Sequence, residues 1–234
     1  MGTLKRILKK IAYRMPSSYI VMFHHVTGNP GLIKSSCILD YEKFAAFIEA
    51  YASQCASIQD VVKRKKKNKI AVTFDDGLED VFTVAYPLLK ERGVPFTVFI
   101  VTEFLNTPGY ITQEQLEILS ADTLVTIGSH GLSHEIFPEM SSEKKKEELI
   151  SSKKILEGIT KRDVEFFAYS HGQYDAQTLK LVKCYKYAMS VKQLPLNVFT
   201  RSKHLLPRYN VDNSNYEKIK EFFDDKLKSI RGKN

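Results

Sequence analysis

The stretch IAVTFDDG at residues 70–77 places two carboxylates and a glycine directly after a short apolar run. Its first five residues are small, aromatic or β-branched, which is typical of a strand buried on both faces. Two charges beside a buried strand are costly unless a cation or another partner compensates them. Asp75 and Asp76 therefore indicate either a site at the carboxyl end of a parallel strand or a solvated turn cap.

Short β-rich runs alternate with amphipathic stretches on both sides of this segment. Strands are predicted at residues 19–26, 70–74, 97–101, 125–129, 166–169, 187–190 and 205–208. Helices are predicted near residues 41–51, 78–92, 113–119, 143–156, 176–183 and 215–230. Two helix starts carry the spacing of a capping box, at Thr112 with Gln115 and at Ser214 with Glu217. This alternation predicts an α/β fold with βα units around a parallel sheet.

Two histidines follow another apolar strand, in TIGSHGLSH at residues 126–134. His130 and His134 lie four residues apart, a spacing that allows both imidazoles to face one point. A lone histidine is more often a surface or core residue, but this pair accompanies the carboxylates at a strand end. The residues predict a site of two histidines and one aspartate for zinc or a similar divalent ion, with one coordination position open.

TFDDG at residues 73–77 and SHGLSH at residues 129–134 resemble two motifs of the polysaccharide deacetylase family, which are metal-dependent carbohydrate esterases. The resemblance implies a distorted (β/α) barrel with about seven parallel strands, in agreement with the seven strands counted above. It implies that Asp75 is the general base. It further implies that Asp76, His130 and His134 bind one divalent metal ion, with zinc expected and cobalt or nickel as alternatives.

A third element, FFAYSHGQYD at residues 166–175, resembles the FAYPYGxYD motif of the same family. Ser170 replaces the proline of that motif and His171 replaces the aromatic residue. The alignment implies that the backbone amide of His171 donates a hydrogen bond to the developing oxyanion. Its imidazole either binds sugar hydroxyls or caps the turn.

The segment VMFHHV at residues 21–26 resembles the YHxV motif of the subgroup that includes exopolysaccharide poly-N-acetylglucosamine deacetylases. This resemblance implies that His24 is the catalytic acid, whereas the adjacent His25 points to the other side of the strand. LPR at residues 206–208 resembles a late segment of the subgroup and implies that Arg208 holds Asp75 ionised. A surface salt bridge is the alternative for Arg208. The family's tryptophan motif is absent, since the chain has no Trp.

The N-terminus, residues 1–18, is predicted to form a basic amphipathic helix that precedes a deacetylase-like barrel over residues 19–234. Its apolar residues are spaced as a helical stripe and not as a continuous signal-peptide core. Three cysteines without paired spacing indicate a reducing compartment. We therefore expect a cytoplasmic protein in which residues 1–14 either contact an anionic membrane surface or pack against the domain.

The 35 Lys and Arg residues and 27 Asp and Glu residues leave a net charge of +8, which is compatible with nucleic acid, a membrane or an acidic glycan. Lysine runs at residues 63–67 and 144–146 lack interleaved aromatic residues, so we predict solvated faces and no nucleic-acid partner. The predicted substrate is an acetylated glycan, or a lipid-linked or nucleotide-linked sugar, from which N-acetyl groups are removed. The alternatives are a catalytically impaired glycan-binding module and a hydrolase of another small amide. The sequence sets no oligomeric state.

Overall fold

The computed structural model describes residues 17–28, 35–63, 68–197, 200 and 202–231. The amphipathic helix predicted over residues 1–18 lies almost entirely outside this part of the chain, as does most of the lysine run at residues 63–67. Nine strands are present among the described residues: β1 (Tyr19–Phe23), β2 (His25–Thr27), β3 (Ile38–Asp40), β4 (Ile70–Phe74), β5 (Phe96–Ile100), β6 (Val125–Ser129), β7 (Phe166–Ala168), β8 (Tyr187–Met189) and β9 (Tyr209–Asn210).

Seven of these strands form one curled parallel sheet in the order β8-β7-β6-β5-β4-β1-β9. The two edges of this sheet approach each other through the segment that leads into β9. Leu206 bridges Met189 of β8, whereas Tyr209 pairs with Val21 of β1. The predicted α/β fold, a distorted barrel of about seven parallel strands, is confirmed.

Two predicted strands differ from the structure, and one strand was not predicted. The strand predicted at residues 19–26 is divided at His24 into β1 and β2, and β2 pairs with the unpredicted β3 in a separate small sheet. The last strand lies at Tyr209–Asn210 and not at residues 205–208. A sequence pattern records which residues favour extended backbone, but the hydrogen-bond partner that completes a strand comes from distant parts of the chain.

Seven α-helices lie in the described residues: α1 (Tyr41–Tyr51), α2 (Ile58–Val62), α3 (Tyr86–Glu91), α4 (Gln113–Ala121), α5 (Ser142–Thr160), α6 (Thr178–Leu181) and α7 (Tyr216–Arg231). A turn of π-helix, Val81–Ala85, leads into α3. The capping box at Thr112 and Gln115 is confirmed, with both reciprocal hydrogen bonds present. The one expected at Ser214 is wrong, because the Ser214 hydroxyl donates to Asp212 and α7 begins at Tyr216.

Buried side chains form two clusters on opposite faces of the curled sheet. Val21, Phe23 and Phe74 belong to the larger cluster, which packs against the helices. Ile20 and Ala71 belong to the smaller one, which fills the inside of the curl. Because side chains alternate along a strand, the inward series continues from Ile20 to His24 and from Ala71 to Asp75. The alternation of side chains along β1 and β4 therefore places His24 and Asp75 at the mouth of the barrel.

The lysine run at residues 144–146 is not a uniformly solvated face, contrary to the prediction. Lys145 is only 3% exposed, and its Nζ lies 2.6 Å from Asp175 Oδ2. A lysine is buried in this way only when a partner compensates its charge.

Two observations concern the three cysteines and the possibility of a membrane-spanning helix. Cys37, Cys55 and Cys184 are all free thiols. No helix in the described part of the chain combines the length and the apolar character needed to cross a bilayer.

Candidate active site

A cavity of about 430 Å³ opens at the carboxyl ends of the strands. Its walls contain six of the seven residues singled out from the sequence: His24, Asp75, Asp76, His130, His134 and His171. The seventh, Arg208, lies fully buried beneath the floor and contacts Asp75 directly. The fold therefore gathers residues from β1, β4, β6, β7 and the approach to β9 around one space.

Asp76, His130 and His134 form the group that could hold a metal ion. One donor atom from each residue lies within 4.8 Å of the others. Asp76 Oδ1 is 3.4 Å from His130 Nε2 and 3.3 Å from His134 Nε2. Asp76 and His134 both have positive φ angles, 72° and 66°, so each residue sits at a sharp turn that directs its side chain towards the common point.

The hydrogen bonding of His130 tests whether these residues fit a cation. His130 Nδ1 lies 2.8 Å from the carbonyl oxygen of Ala168. A carbonyl only accepts, so Nδ1 carries the proton and Nε2 presents a lone pair to Asp76 Oδ1. Asp76 Oδ1 is buried and has no hydrogen-bond partner among the described residues. Opposed lone pairs from imidazole and carboxylate are the donor set of a divalent ion, so the group fits one.

The electrostatics of the cleft agree with this assignment. Burial opposes the ionisation of Asp76, but the neighbouring His130 and His134 outweigh it and hold the pKa of Asp76 well below its usual range. Burial likewise opposes a charge on His130, yet the carboxylates of Asp75 and Asp76 raise its pKa overall. Positive charge is thus favoured between these side chains, as a bound cation requires.

Asp75 is held by a buried arginine. Arg208 Nη1 lies 2.6 Å from Asp75 Oδ1, and Arg208 Nη2 lies 2.7 Å from Oδ2. The guanidinium also donates from Nε to the Ser190 carbonyl and lies 5.3 Å from the centre of the Phe99 ring. Burial tends to raise the pKa of Asp75, but Arg208 and His130 outweigh this and lower it. Because Arg208 is fully buried, the alternative of a surface salt bridge is wrong.

His24 follows β1 on the inward side of the sheet, and its Nδ1 is buried without a hydrogen-bond partner among the described residues. Burial lowers the pKa of His24, and the charges of Asp75 and Asp76 offset only part of this effect. The adjacent His25 is directed elsewhere, as the alternation of side chains predicts. Its Nδ1 lies 2.8 Å from Asp80 Oδ2, and it does not line the cleft.

His171 lies in the turn Ser170–Gly172 that follows β7, with φ of 55°. Its ring centre is 4.5 Å from that of His134, so the imidazole forms part of the wall next to the candidate metal ligands. The amides of Gly172 and Gln173 donate to the carbonyls of Tyr169 and Ser170. Those two amides are therefore occupied within the turn.

Sequence reasoning missed Glu148 of α5, which lies under the loop between His130 and His134 and is fully buried. The spacing of polar residues along α5 could have indicated that Glu148 is buried. The buried stripe of α5 includes Lys145, Glu148, Leu149, Ser152 and Leu156. Polar side chains at helical spacing in a buried stripe indicate specific partners, because unpaired polar groups are costly to bury.

The sequence profile of the polysaccharide deacetylases matches residues 62–190, more than half of the chain. This chain belongs to the polysaccharide deacetylase family. The matched segment contains Asp75, Asp76, His130, His134 and His171, whereas His24 and Arg208 lie outside it. Members of the family are generally metal-dependent, which agrees with the donor group in the cleft.

Two relatives are similar in sequence to this polysaccharide deacetylase. YxkH of Bacillus subtilis (strain 168), whose name places it with the polysaccharide deacetylases, is 28% identical over 133 residues, 57% of this chain and 47% of YxkH. The chain thus spans about half the length of that relative. A Staphylococcus aureus (strain N315) poly-beta-1,6-N-acetyl-D-glucosamine N-deacetylase is 22% identical over 207 residues, covering 79% of this chain and 70% of the relative.

The structure of the Streptococcus pyogenes deacetylase PplD in complex with acetate superposes with a TM-score of 0.79 at 19% identity. The match covers 89% of this chain and 99% of PplD. At this level of identity the likeness concerns the fold, which is shared almost from end to end.

Proposed function

We propose that this polysaccharide deacetylase is a metal-dependent hydrolase that removes N-acetyl groups from a glucosamine-containing glycan and releases acetate. The observation that carries the proposal is the placement of Asp75, paired with buried Arg208, in the same cleft as Asp76, His130 and His134. A site that only bound metal would not need Asp75. Hydrolysis needs a proton acceptor beside the attacking water.

In this mechanism Asp76, His130 and His134 hold the divalent ion. Such an ion, when bound, polarises the acetyl carbonyl and lowers the pKa of water. Asp75 accepts a proton from the attacking water while the oxygen of that water bonds to the acetyl carbon. Arg208 keeps that carboxylate ionised and fixes its orientation.

Two further groups complete the reaction. The backbone amide of His171 donates a hydrogen bond to the oxygen on which negative charge develops. His24, in its imidazolium form, donates a proton to the sugar nitrogen as the bond between carbon and nitrogen breaks and becomes a neutral imidazole, because an amine leaves far more readily when it is protonated. The products are acetate and a free amino sugar.

The proposed substrate is a polymer of N-acetylglucosamine, as the name of the Staphylococcus aureus relative suggests. The open cleft offers the exposed side chain of Val191 as an apolar wall beside the polar residues, a combination suited to the face and the hydroxyls of a sugar ring. Zinc is the proposed metal, with cobalt and nickel to be compared against it.

The basic N-terminus supports a proposed contact with an anionic membrane surface, where a lipid-linked sugar would be encountered. Its apolar residues Leu4, Ile7, Leu8 and Ile11 have the spacing that would put them on one face of a helix, and lysines and arginines stand between them in the sequence. Flotation with anionic vesicles should recover the intact protein and lose a variant that lacks residues 1–14. Equal flotation of the two proteins would rule out this contact.

The test of the proposed activity is acetate release from N-acetylglucosamine oligomers. The protein is first treated with a chelator and then reloaded separately with Zn²⁺, Co²⁺ or Ni²⁺. The parent should release acetate after reloading, whereas Asp75→Asn should bind metal and release acetate at least about 100-fold more slowly, because it lacks the base. A parent that binds metal and glycan without releasing acetate is a binding module. Release from small N-acetyl amides alone would favour the hydrolase of another amide.

A further inference from the structure

We propose that Glu148 is a positioning residue that fixes the loop from His130 to His134 and so sets the geometry of the metal ligands. The inference rests on the proposed function, because it concerns the same metal site. Glu148 lies on α5, outside the cleft, and belongs to no motif that the sequence indicated.

The Glu148 carboxylate accepts hydrogen bonds from the middle of the loop that joins His130 to His134. Its Oε2 accepts from the amide of Leu132 at 2.7 Å and from the amide of Ser133 at 3.2 Å. Its Oε1 accepts from the Ser133 hydroxyl at 2.7 Å. Hydrogen bonds to a charged acceptor are about twice as strong as neutral ones, so this carboxylate is a strong restraint on two of the three residues that separate the histidines.

Gly131 shows how closely the loop wraps around this carboxylate. Gly131 has φ of +90°, and a Cβ atom added there would lie 2.8 Å from Glu148 Oε2. A side chain at this position would therefore strain the backbone and displace the carboxylate. Glycine is required because the loop passes directly over Glu148.

The His130 end of the loop is fixed separately. The amide of His130 donates to the Ile100 carbonyl, and the His130 carbonyl accepts from the Ser170 hydroxyl. The amide of Gly131 donates to Ser129 Oγ, which contacts Ser152 Oγ of α5 at 2.9 Å. Helix α5 thus supports the loop at two points one helical turn apart, and Glu148 is the point nearer to His134.

The consequence for metal binding follows from preorganisation. His134 has no regular secondary structure of its own, and its φ of 66° must be maintained by contacts around it. If Glu148 no longer holds the amides of Leu132 and Ser133, the middle of the loop is still restrained through the carbonyls of Gly131 and Leu132, which accept from the amides of Thr102 and Glu103. The separation of the two imidazoles is then less restrained, and binding must include the cost of ordering them. Partners that orient ligands typically account for about 10-fold to 100-fold in metal affinity.

The test compares Glu148→Gln with Glu147→Gln, a matched control that removes the same charge from the exposed neighbouring position of α5. Metal-free protein is titrated with Co²⁺ and Zn²⁺ against a chromophoric chelator, and the visible spectrum of the Co²⁺ form is recorded. Glu148→Gln should bind both ions about 10-fold to 100-fold more weakly, with an altered Co²⁺ spectrum. Glu147→Gln should match the parent.

Unfolding of the metal-free proteins separates positioning from general stability. A Glu148→Gln variant that is less stable but binds Co²⁺ with parental affinity and spectrum would overturn the inference. Should that variant fail to fold, Ser133→Ala removes one of the hydrogen bonds and retains the carboxylate. It should weaken Co²⁺ binding and shift the spectrum, and identity with the parent would overturn the inference. A parent that binds no divalent ion would overturn the proposed function as well, which distinguishes the two failures.

Discussion

Arg208 and Asp75 form a bidentate ion pair inside the barrel, with both nitrogen–oxygen distances below 2.8 Å. The two residues are 133 positions apart in the chain, and their side chains are 0% and 4% exposed. A buried charge is tolerated only while its partner remains. The candidate base and the last strand of the sheet therefore depend on each other.

Arg208→Met should lower the free energy of unfolding by about 3–5 kcal/mol, because it leaves the Asp75 carboxylate buried without a counter-charge. The double variant with Asp75→Asn should regain part of this loss, since no uncompensated charge remains. Urea denaturation followed by circular dichroism measures the free energy of unfolding of the two single variants and of the double variant. A double variant as unstable as the sum of its single changes would show that the pair is not coupled.

The roles proposed for His24 and His130 predict that their replacement affects metal content differently, although both replacements slow acetate release. His24→Ala should retain the divalent ion and release acetate at least about 100-fold more slowly, because it lacks the acid. His130→Ala should lose both the ion and the activity. Elemental analysis of the purified variants beside acetate release checks this. Equal loss of metal in the two variants would contradict the assignment of acid and ligand.

His171→Tyr restores the kind of side chain that the family motif carries at this position. If the backbone amide of His171 donates to the oxyanion, another side chain at this position keeps that hydrogen bond. The fall in kcat should then be much smaller than the roughly 100-fold that loss of one oxyanion donor causes. Steady-state kinetics on a soluble N-acetylglucosamine oligomer measures kcat and KM separately. A fall of 100-fold or more in kcat, about the effect of a lost donor, would assign the imidazole itself to the reaction.

Two glycines should respond in opposite directions to the same change. A Cβ atom at Gly128 of β6 would lie 2.5 Å from Phe99 Cδ1, inside the packed curl of the sheet, whereas one at Gly158 of α5 would meet nothing within 4 Å. Gly128→Ala should destabilise the fold by about 1–3 kcal/mol. Gly158→Ala should stabilise it by about 0.5–1 kcal/mol through helix propensity. Thermal unfolding tests both variants, and a shared sign would contradict the packing argument.

Asp175 should make stability depend on pH. Hydrogen bonds from Lys145, then from the amide and hydroxyl of Thr178, hold the pKa of Asp175 well below its usual range. A carboxyl with a depressed pKa in the folded state contributes stability above its ordinary pKa of about 3.9 and loses it as the pH falls through the folded value. The difference in unfolding free energy between the parent and Asp175→Asn should therefore shrink below about pH 4.

Urea unfolding at a series of acidic pH values measures that difference. A difference that stays constant with pH would mean that the contact of Lys145 with Asp175 does not favour the charged form of this carboxyl.

Residues close together in the chain allowed much of this protein to be predicted. The run before Asp75 and Asp76 shows a buried strand and its end, and the spacing of His130 and His134 shows that their imidazoles can converge. The alternation of strands and helices indicates the parallel sheet. These features are local, because backbone periodicity and the alternation of side chains depend on neighbours within a few residues.

Contacts between distant segments had to come from the folded chain. The family resemblance implied that Arg208 holds Asp75 ionised, but no pattern shows that this pair is buried inside the barrel. Nor does any pattern show that Lys145 is buried because Asp175 faces it, or that Glu148 holds the loop before His134. Each of these depends on which face of an element is covered, and by what. A charged residue looks solvated in a sequence, and it becomes part of the interior only when the fold supplies a partner that compensates the loss of water.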